Sequence, residues 1–218
     1  MNFSIIKNNP LFRGIAEHEI EKLLNCLNSY KKEYKKNQTI VRSGEKIQNI
    51  GILLKGEAHI VKSDYWGNQT IIAHLYEGEV FGEAYACVSQ NEMGVNVIAI
   101  QDCEVLFLNV SHIIKICPCS CEYHHILLQN LIEMIAKKNI LLNHKLSLLS
   151  KKTIREKVLS YLSQQAIQHG SKIFDIPYNR QQLADYLGVD RSALSAELSR
   201  MQKEGILSYY KNTFKLQQ

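Results

Sequence analysis

The longest stretch of the chain without glycine or proline that carries a regular apolar pattern is residues 123–149. Within it, seven residues follow one another at alternating intervals of four and three: Leu128, Ile132, Ile135, Asn139, Leu142, Leu146 and Leu149. This spacing is typical of a coiled-coil seam over about three heptads, and a polar residue in the middle of such a seam often fixes its register. The segment therefore predicts a long helix that pairs with a second copy of the chain to form a homodimer.

A second apolar stripe lies beside the seam and consists of Leu127, Leu131, Met134 and Leu141. Two adjacent apolar stripes need two surfaces to cover them. We expect the second stripe to pack on the strand-rich region that precedes it. The alternative is a long helix buried within a single protomer.

That strand-rich region, residues 39–110, consists of short β-prone runs separated by glycines. Such runs predict antiparallel strands and hairpins, and this number of short strands is typical of a barrel or a roll. The segment Asp64 to Gln69 is the expected tip of one hairpin. A helix is predicted before the strands, because Ile20, Leu23, Leu24 and Leu27 follow helical spacing.

The excess positive charge is confined to the last third of the chain. Residues 1–149 contain 15 Lys and Arg against 15 Asp and Glu, whereas residues 150–218 contain 11 against 6, which gives the whole net charge of +5. A basic module next to a neutral one suggests a polyanion as its partner. The alternative is a solvated basic face with no partner.

Within this basic region, residues 179–207 have the spacing of a helix-turn-helix motif. Asn179 is the expected N-cap of the first helix, with Gln182 at the reciprocal position of a capping box. Gly188 permits a tight turn, and Asp190 is the expected N-cap of the second helix.

Three further elements flank this motif. A helix over Lys151 to Gln168 is predicted to end at Gly170, and a short strand follows at Ile173 to Pro177. After the motif, a hairpin with its turn at Lys211 and Asn212 would form a wing.

In such a motif the N-terminal turns of the second helix enter the major groove of DNA. The predicted inward residues leave a polar face for this contact: Arg191, Ser192, Ser195, Ala196, Ser199 and Arg200. Arg180, near the start of the first helix, is expected to contact backbone phosphate, where the helix dipole also favours an anion. The alternative is a helical hairpin that only packs against its own domain.

The order of these elements resembles the CRP/FNR family of bacterial transcription regulators, with matches at KGEAHI, YEGEVFGE and RQQLADYLGVDRSALSAELSRMQKEGIL. The resemblance implies an α+β fold with three parts. These are an N-terminal double-stranded β-roll of the cyclic-nucleotide-binding type (1–121), a dimerisation helix (122–149) and a C-terminal winged helix-turn-helix (150–218). It implies a dimeric, sequence-specific regulator that binds double-stranded, pseudo-palindromic operator DNA and has RNA polymerase as a further partner.

The same resemblance points to an effector pocket in the β-roll. The family's phosphate-binding cassette begins with Gly-Glu, matched here by Gly82 and Glu83, and an Arg-Ser or Arg-Thr pair follows about ten residues later. Met93 and Gly94 occupy the positions of that pair. A phosphate without its cation loses a charge-assisted hydrogen bond of about 1.5–3 kcal/mol. We therefore expect an effector other than cyclic AMP.

A cluster of cysteines precedes the long helix. Cys117, Cys119 and Cys121, together with His124, have the chemistry to bind zinc or an iron-sulfur cluster, or to sense redox state. The C-x-C-x-C spacing is unlike the usual C-x-x-C zinc pairing. The cluster is therefore an alternative sensor, and incidental thiols in a loop are the competing interpretation.

Other classes of protein find little support in the sequence. No nucleophile-histidine-acid signature, P-loop or dinucleotide glycine fingerprint is present, so we predict that the chain is not an enzyme. No apolar run reaches the roughly 18 residues that span a bilayer, and the N-terminus has no secretion signal. We expect a cytoplasmic protein that does not bind membranes.

Overall fold

The computed structural model describes residues 3–88, 92–114 and 122–217. The chain divides into two compact units, residues 1–137 and 138–218. The long helix, Glu122–Leu149, runs across the boundary between them. No helix among the described residues is long and apolar enough to cross a membrane.

The described residues of the first unit form two four-stranded antiparallel sheets and five helices. Its strands are β1 (Tyr30–Tyr34), β2 (Thr39–Val41), β3 (Asn49–Lys55), β4 (Ala58–Ser63), β5 (Gln69–Leu75), β6 (Val80–Phe81), β7 (Asn96–Ala99) and β8 (Cys103–Asn109). Its helices are α1 (Phe3–Asn8), α2 (Glu17–Cys26), α3 (Glu83–Ala86), α4 (Val110–Ile114) and the first part of α5 (Glu122–Leu149), with a 3-10 turn at Pro10–Phe12. The sheet orders are β1-β8-β3-β6 and β2-β7-β4-β5. This arrangement confirms the predicted β-roll.

The first sheet is covered on both faces, which explains why β3 is apolar along most of its length. Leu53 belongs to a core shared with residues of the second sheet, such as Val97. Ile50, Ile52 and Leu54 point to the opposite face, into a core formed with the helices. A strand buried on both faces carries apolar residues at successive positions rather than at alternate ones.

The hairpin tip predicted at Asp64 to Gln69 lies between β4 and β5. The Asp64 carboxylate accepts hydrogen bonds from the backbone N–H groups of Trp66 (3.0 Å) and Asn68 (2.8 Å). These bonds lower the pKa of Asp64, with the Asn68 side chain as the largest cause. The turn is therefore stabilised by an aspartate that stays ionised.

Helix α5 packs on the core of the first unit along its N-terminal half. Leu127 and Leu131 are buried there, and Asn130 Nδ2 donates hydrogen bonds to the carbonyl oxygens of Leu11 (3.0 Å) and Arg13 (2.8 Å). Met134 is partly buried against the same core. Three members of the predicted second stripe therefore pack on the strand-rich region.

The fourth member of that stripe, Leu141, is 67% exposed, so the prediction for it was wrong. The contacts of α5 with this core end at Ile135. Two residues of the predicted seam, Leu128 and Ile135, are themselves partly buried against the core of their own chain. The sequence pattern did not show where along the helix this packing ends.

The second unit contains the remaining helices and one small sheet. Its elements are α6 (Ile154–His169), β9 (Ile173–Asp175), α7 (Arg180–Leu187), α8 (Arg191–Lys203), β10 (Leu207–Tyr210) and β11 (Thr213–Leu216), with the antiparallel order β10-β11-β9. Gly170 ends α6 with a positive φ of 61°, as predicted. The turn between β10 and β11 contains Lys211 with a φ of 52°, which confirms the wing.

Candidate DNA-binding interface

The first helix of the motif, α7, is fixed at both ends by local chemistry. Asn179 Oδ1 accepts from the N–H of Gln182 (3.0 Å), and Gln182 Oε1 accepts from the N–H of Asn179 (2.9 Å), which forms the predicted capping box. Gly188 ends the helix at a φ of 60°. A Cβ atom at Gly188 would lie 3.2 Å from Leu149 Cδ2, so both the conformation and the close packing favour glycine.

The second helix, α8, begins at the predicted cap. Asp190 Oδ1 accepts hydrogen bonds from the N–H of Ala193 (2.9 Å) and from the Ser192 hydroxyl. These bonds lower the pKa of the Asp190 carboxyl, with the Ser192 bond as the largest cause. Leu194 and Leu198 are fully buried on the opposite face, and they set the rotation of α8 about its axis.

The residues predicted to contact DNA on α8 lie together on its outer face. Arg191, Ser192, Ala196, Ser199 and Arg200 are exposed and Ser195 is half-buried. They recur at intervals of three and four, so they form one strip along the helix. The major groove of B-DNA admits an α-helix, so such a strip can reach the base edges.

Arg180, the predicted phosphate contact on α7, packs against the wing. Its guanidinium carbon lies 4.9 Å from the ring centre of Tyr209 and 5.7 Å from that of Phe214. Burial lowers the pKa of Arg180, yet an arginine pKa is so high that the side chain stays charged. Arg180 therefore stabilises the wing through cation–π contacts. Its contact with phosphate stays a prediction.

Arg155 on α6 binds two carboxylates of α8 and its C-terminal end, and the sequence analysis missed it. Its Nε donates to Glu197 Oε1 (2.6 Å), and its two Nη atoms donate to the two carboxylate oxygens of Glu204 (2.8 Å each). The hydrogen bonds from Arg155, and then its positive charge, lower the pKa of Glu204. The sequence could have indicated this contact, because Glu197 and Glu204 are seven residues apart and therefore lie on one face of a helix.

We expect replacement of Arg155 by Met to weaken DNA binding about tenfold, because the carboxylate of Glu197 is then left next to the DNA-facing strip without its main cation. Combining Arg155→Met with Glu197→Gln should restore most of the affinity. Titration of labelled DNA by fluorescence anisotropy measures both effects. Lys172→Met, which removes a positive charge elsewhere in the same unit, is the matched control. Equal weakening by Lys172→Met would indicate a general charge effect instead.

The predicted effector residues lie around the junction of β6 and α3. Gly82 has a φ of 80°, and Glu83, the first residue of α3, is buried. Met93 is 3% exposed within the core between the two sheets. A Cβ atom at Gly94 would lie 3.1 Å from the Tyr85 hydroxyl oxygen. An apolar side chain thus occupies the position at which the resemblance places an arginine.

The cysteine cluster at Cys117, Cys119 and Cys121 lies outside the described residues. His124, its predicted partner, is buried on α5, and its Nδ1 has no hydrogen-bond partner within the described part of the chain. Burial lowers the pKa of His124, and His125 and His112 lower it further. Within that part, no group of three or more His, Cys, Asp or Glu side chains has the arrangement of a metal site. Sensing by metal or redox state at the cluster stays a prediction.

Comparison with known proteins matches each end of the chain to a protein-family model. Residues 31–118 match the family model described as "Cyclic nucleotide-binding domain". Residues 156–217 match the one described as "Crp-like helix-turn-helix domain". The chain belongs to the CRP/FNR family of transcription regulators. The first model contains Gly82 and Met93, and the second contains Arg180 and all of α8, whereas Arg155 lies just outside it.

Two relatives match this CRP/FNR regulator over most of its length. The Cyclic AMP receptor protein of Thermus thermophilus is 24% identical over 93% of this chain and 89% of its own. The Transcriptional activator protein FnrL of Cereibacter sphaeroides is 22% identical over 82% of this chain and 73% of its own. The crystal structure of the Thermus thermophilus Catabolite Activator Protein shares the fold, with a TM-score of 0.57 and 23% identity over 95% of this chain and 93% of that one.

Proposed function

We propose that this CRP/FNR regulator acts as a homodimer that binds a pseudo-palindromic operator through α8, under the control of an effector other than cyclic AMP. The observation that supports DNA binding most strongly is the exposed strip on α8 that begins at Arg191. The Asp190 cap fixes the start of this helix, and the buried Leu194 and Leu198 hold its opposite face. The net charge of +5 in residues 150–218 favours a polyanion at this surface.

The proposal of a dimer is supported by the C-terminal half of α5. Leu142 is 61% and Leu146 is 65% exposed, although both are large apolar residues of the predicted seam. Asn139, also in the seam, accepts a hydrogen bond from Asn143 Nδ2 (2.7 Å). An exposed apolar stripe of this length is typical of an interface. A second α5 related by two-fold symmetry would cover it.

Two-fold symmetry determines the kind of operator. Each protomer contributes one α8, so the half-sites are inverted repeats with centres about 34–36 Å apart, or one helical turn of DNA. An effector that changes the pairing of the α5 helices would change this separation. Binding to chromosomal DNA implies action in the cytoplasm, and regulation of transcription implies RNA polymerase as a further partner.

Selection of operators from a random DNA pool tests the proposal. We expect the purified protein to enrich a palindromic sequence, and Arg191→Ala to abolish the enrichment, because it removes the one arginine at the start of α8. Lys172→Ala is the matched control, since it removes one positive charge from the same unit away from α8. If the wild-type protein enriches no sequence, in the presence or absence of a cell extract that supplies small molecules, DNA binding through α8 is refuted.

We expect cyclic AMP to leave operator affinity unchanged. The side chain of Met93 provides no cation for the cyclic phosphate, and an unpaired phosphate buried in the β-roll is costly to desolvate. Isothermal titration calorimetry with cyclic AMP, repeated in the presence of operator DNA, measures this directly. Binding in the micromolar range would contradict the expectation.

A further inference from the structure

The hydroxyl protons of the serines on the DNA-facing strip are already used within the protein. Ser195 Oγ donates to the carbonyl oxygen of Arg191 (3.0 Å), and Ser199 Oγ donates to that of Ser195 (2.9 Å). Ser192 Oγ donates to the Asp190 carboxylate. A serine hydroxyl has one proton and two lone pairs. Ser199 Oγ also lies 3.5 Å from Tyr209 Oη, which leaves it one lone pair when the tyrosine donates. With their protons used in these bonds, the three serines present acceptor lone pairs to a ligand.

Serines that can only accept hydrogen bonds distinguish the bases by the groups that each base presents in the major groove. In the major groove adenine presents an N6 amino donor and cytosine an N4 amino donor, whereas guanine presents only acceptors. A phosphate oxygen also only accepts. These serines can thus bind adenine or cytosine without breaking an existing hydrogen bond, but must break one to bind guanine or phosphate.

The acidic side chain beside the strip is already paired with two arginines. The carboxylate of Glu197 is held by Arg155 (2.6 Å) and by Arg200 Nη1 (3.2 Å). Ala196 presents a methyl group between Ser195 and Ser199, and a methyl group matches the C5-methyl of thymine. Arg191 forms no ion pair with another described residue and presents donors only.

We infer that the part of each half-site opposite Ser195, Ala196 and Ser199 consists of bases that offer amino and methyl groups, namely adenine or cytosine opposite the serines and thymine opposite the alanine. Guanine is recognised only by arginine, at the N-terminal end of α8. This inference rests on the proposed function and specifies the chemistry of the operator.

Base analogues in the selected operator test the inference. Replacing an adenine of the half-site by 2′-deoxynebularine, or a cytosine by 2′-deoxyzebularine, removes the amino group and leaves the rest of the base in place. We expect a loss of about fivefold in affinity at the positions opposite the serines, which corresponds to one hydrogen bond. Replacing the thymine opposite Ala196 by uracil should also weaken binding, because the methyl contact is lost.

Serine variants distinguish the loss of a hydrogen bond between serine and base from a general weakening of the DNA duplex by the analogue. Ser195→Ala and Ser199→Ala should each lose affinity for the normal operator and become insensitive to the analogue at one position, so the two changes are not additive. Ser163→Ala on α6 is the matched control and should retain full sensitivity. An operator with guanine opposite the serines, or full sensitivity retained by both strip variants, would overturn the inference. Failure to enrich any operator is a different result, since it refutes the proposed function itself.

Discussion

Replacing Leu142 and Leu146 together by Asp is expected to convert the protein to a monomer and to lower operator affinity about a thousandfold, towards the level of non-specific binding. Both leucines are exposed in the single chain and lie four residues apart in the predicted seam. In a two-fold dimer the change removes four leucines from the interface, each worth about 1.5–3 kcal/mol when fully buried. It also places four carboxylates across the symmetry axis. Analytical ultracentrifugation and a DNA titration measure the two effects.

Leu141 provides the matched control for this experiment. It is as exposed as the two seam residues, at 67%, but lies off the seam on the same helix. Leu141→Asp should therefore remain dimeric and bind the operator. If Leu141→Asp dissociates the dimer while the seam variant does not, the helices pair through a different face. If both variants remain dimeric, the interface lies elsewhere in the chain.

Gly51→Ala is expected to destabilise the first unit by about 3 kcal/mol, at the upper end of the usual cost of overpacking a core. Gly51 on β3 pairs directly with Phe81 on β6, and a Cβ atom at Gly51 would lie 2.2 Å from Phe81 Cζ. Phe81 is 2% exposed, so its ring cannot move away without disturbing the core between the two sheets. Urea unfolding followed by circular dichroism gives the change in the free energy of unfolding.

The double variant Gly51→Ala with Phe81→Leu tests the cause of this destabilisation. A smaller side chain at position 81 relieves the contact, so the double variant should be less destabilised than the sum of the two single variants. Additive effects would show that the ring over Gly51 is not the source of the cost. The loss of glycine's conformational freedom acts on the unfolded chain and favours folding, so it cannot cause this destabilisation.

The helix-turn-helix was predictable because its determinants are close in sequence. The caps at Asn179 and Asp190 act within three residues, and Gly188 acts through its own backbone conformation. The alternation of strands and glycines likewise predicted a barrel or a roll. The resemblance to a family then identified the order of the domains. Each of these features depends on neighbours within a few positions, so a sequence records it directly.

The effector residues and the long helix were predicted less completely. The resemblance predicted Met93 at the position of the family's arginine, and its burial between the two sheets became visible only in the structure. The second stripe of α5 was predicted along its whole length, whereas the contacts with the core end at Ile135. A periodic pattern gives the direction in which a side chain points, and the length of the surface that covers it depends on the rest of the fold.

By itself, the sequence determined which segments form helices and strands, where the helices of the DNA-binding motif begin and end, and which face of α8 is polar. The tertiary structure decided how those side chains are used. Arg155 reaches Glu197 and Glu204 across 42 and 49 residues, and Arg180 stacks on the ring of Tyr209 in the wing. Contacts over such separations depend on how the elements pack, and no local pattern of residues encodes the distance between two side chains that only folding brings together.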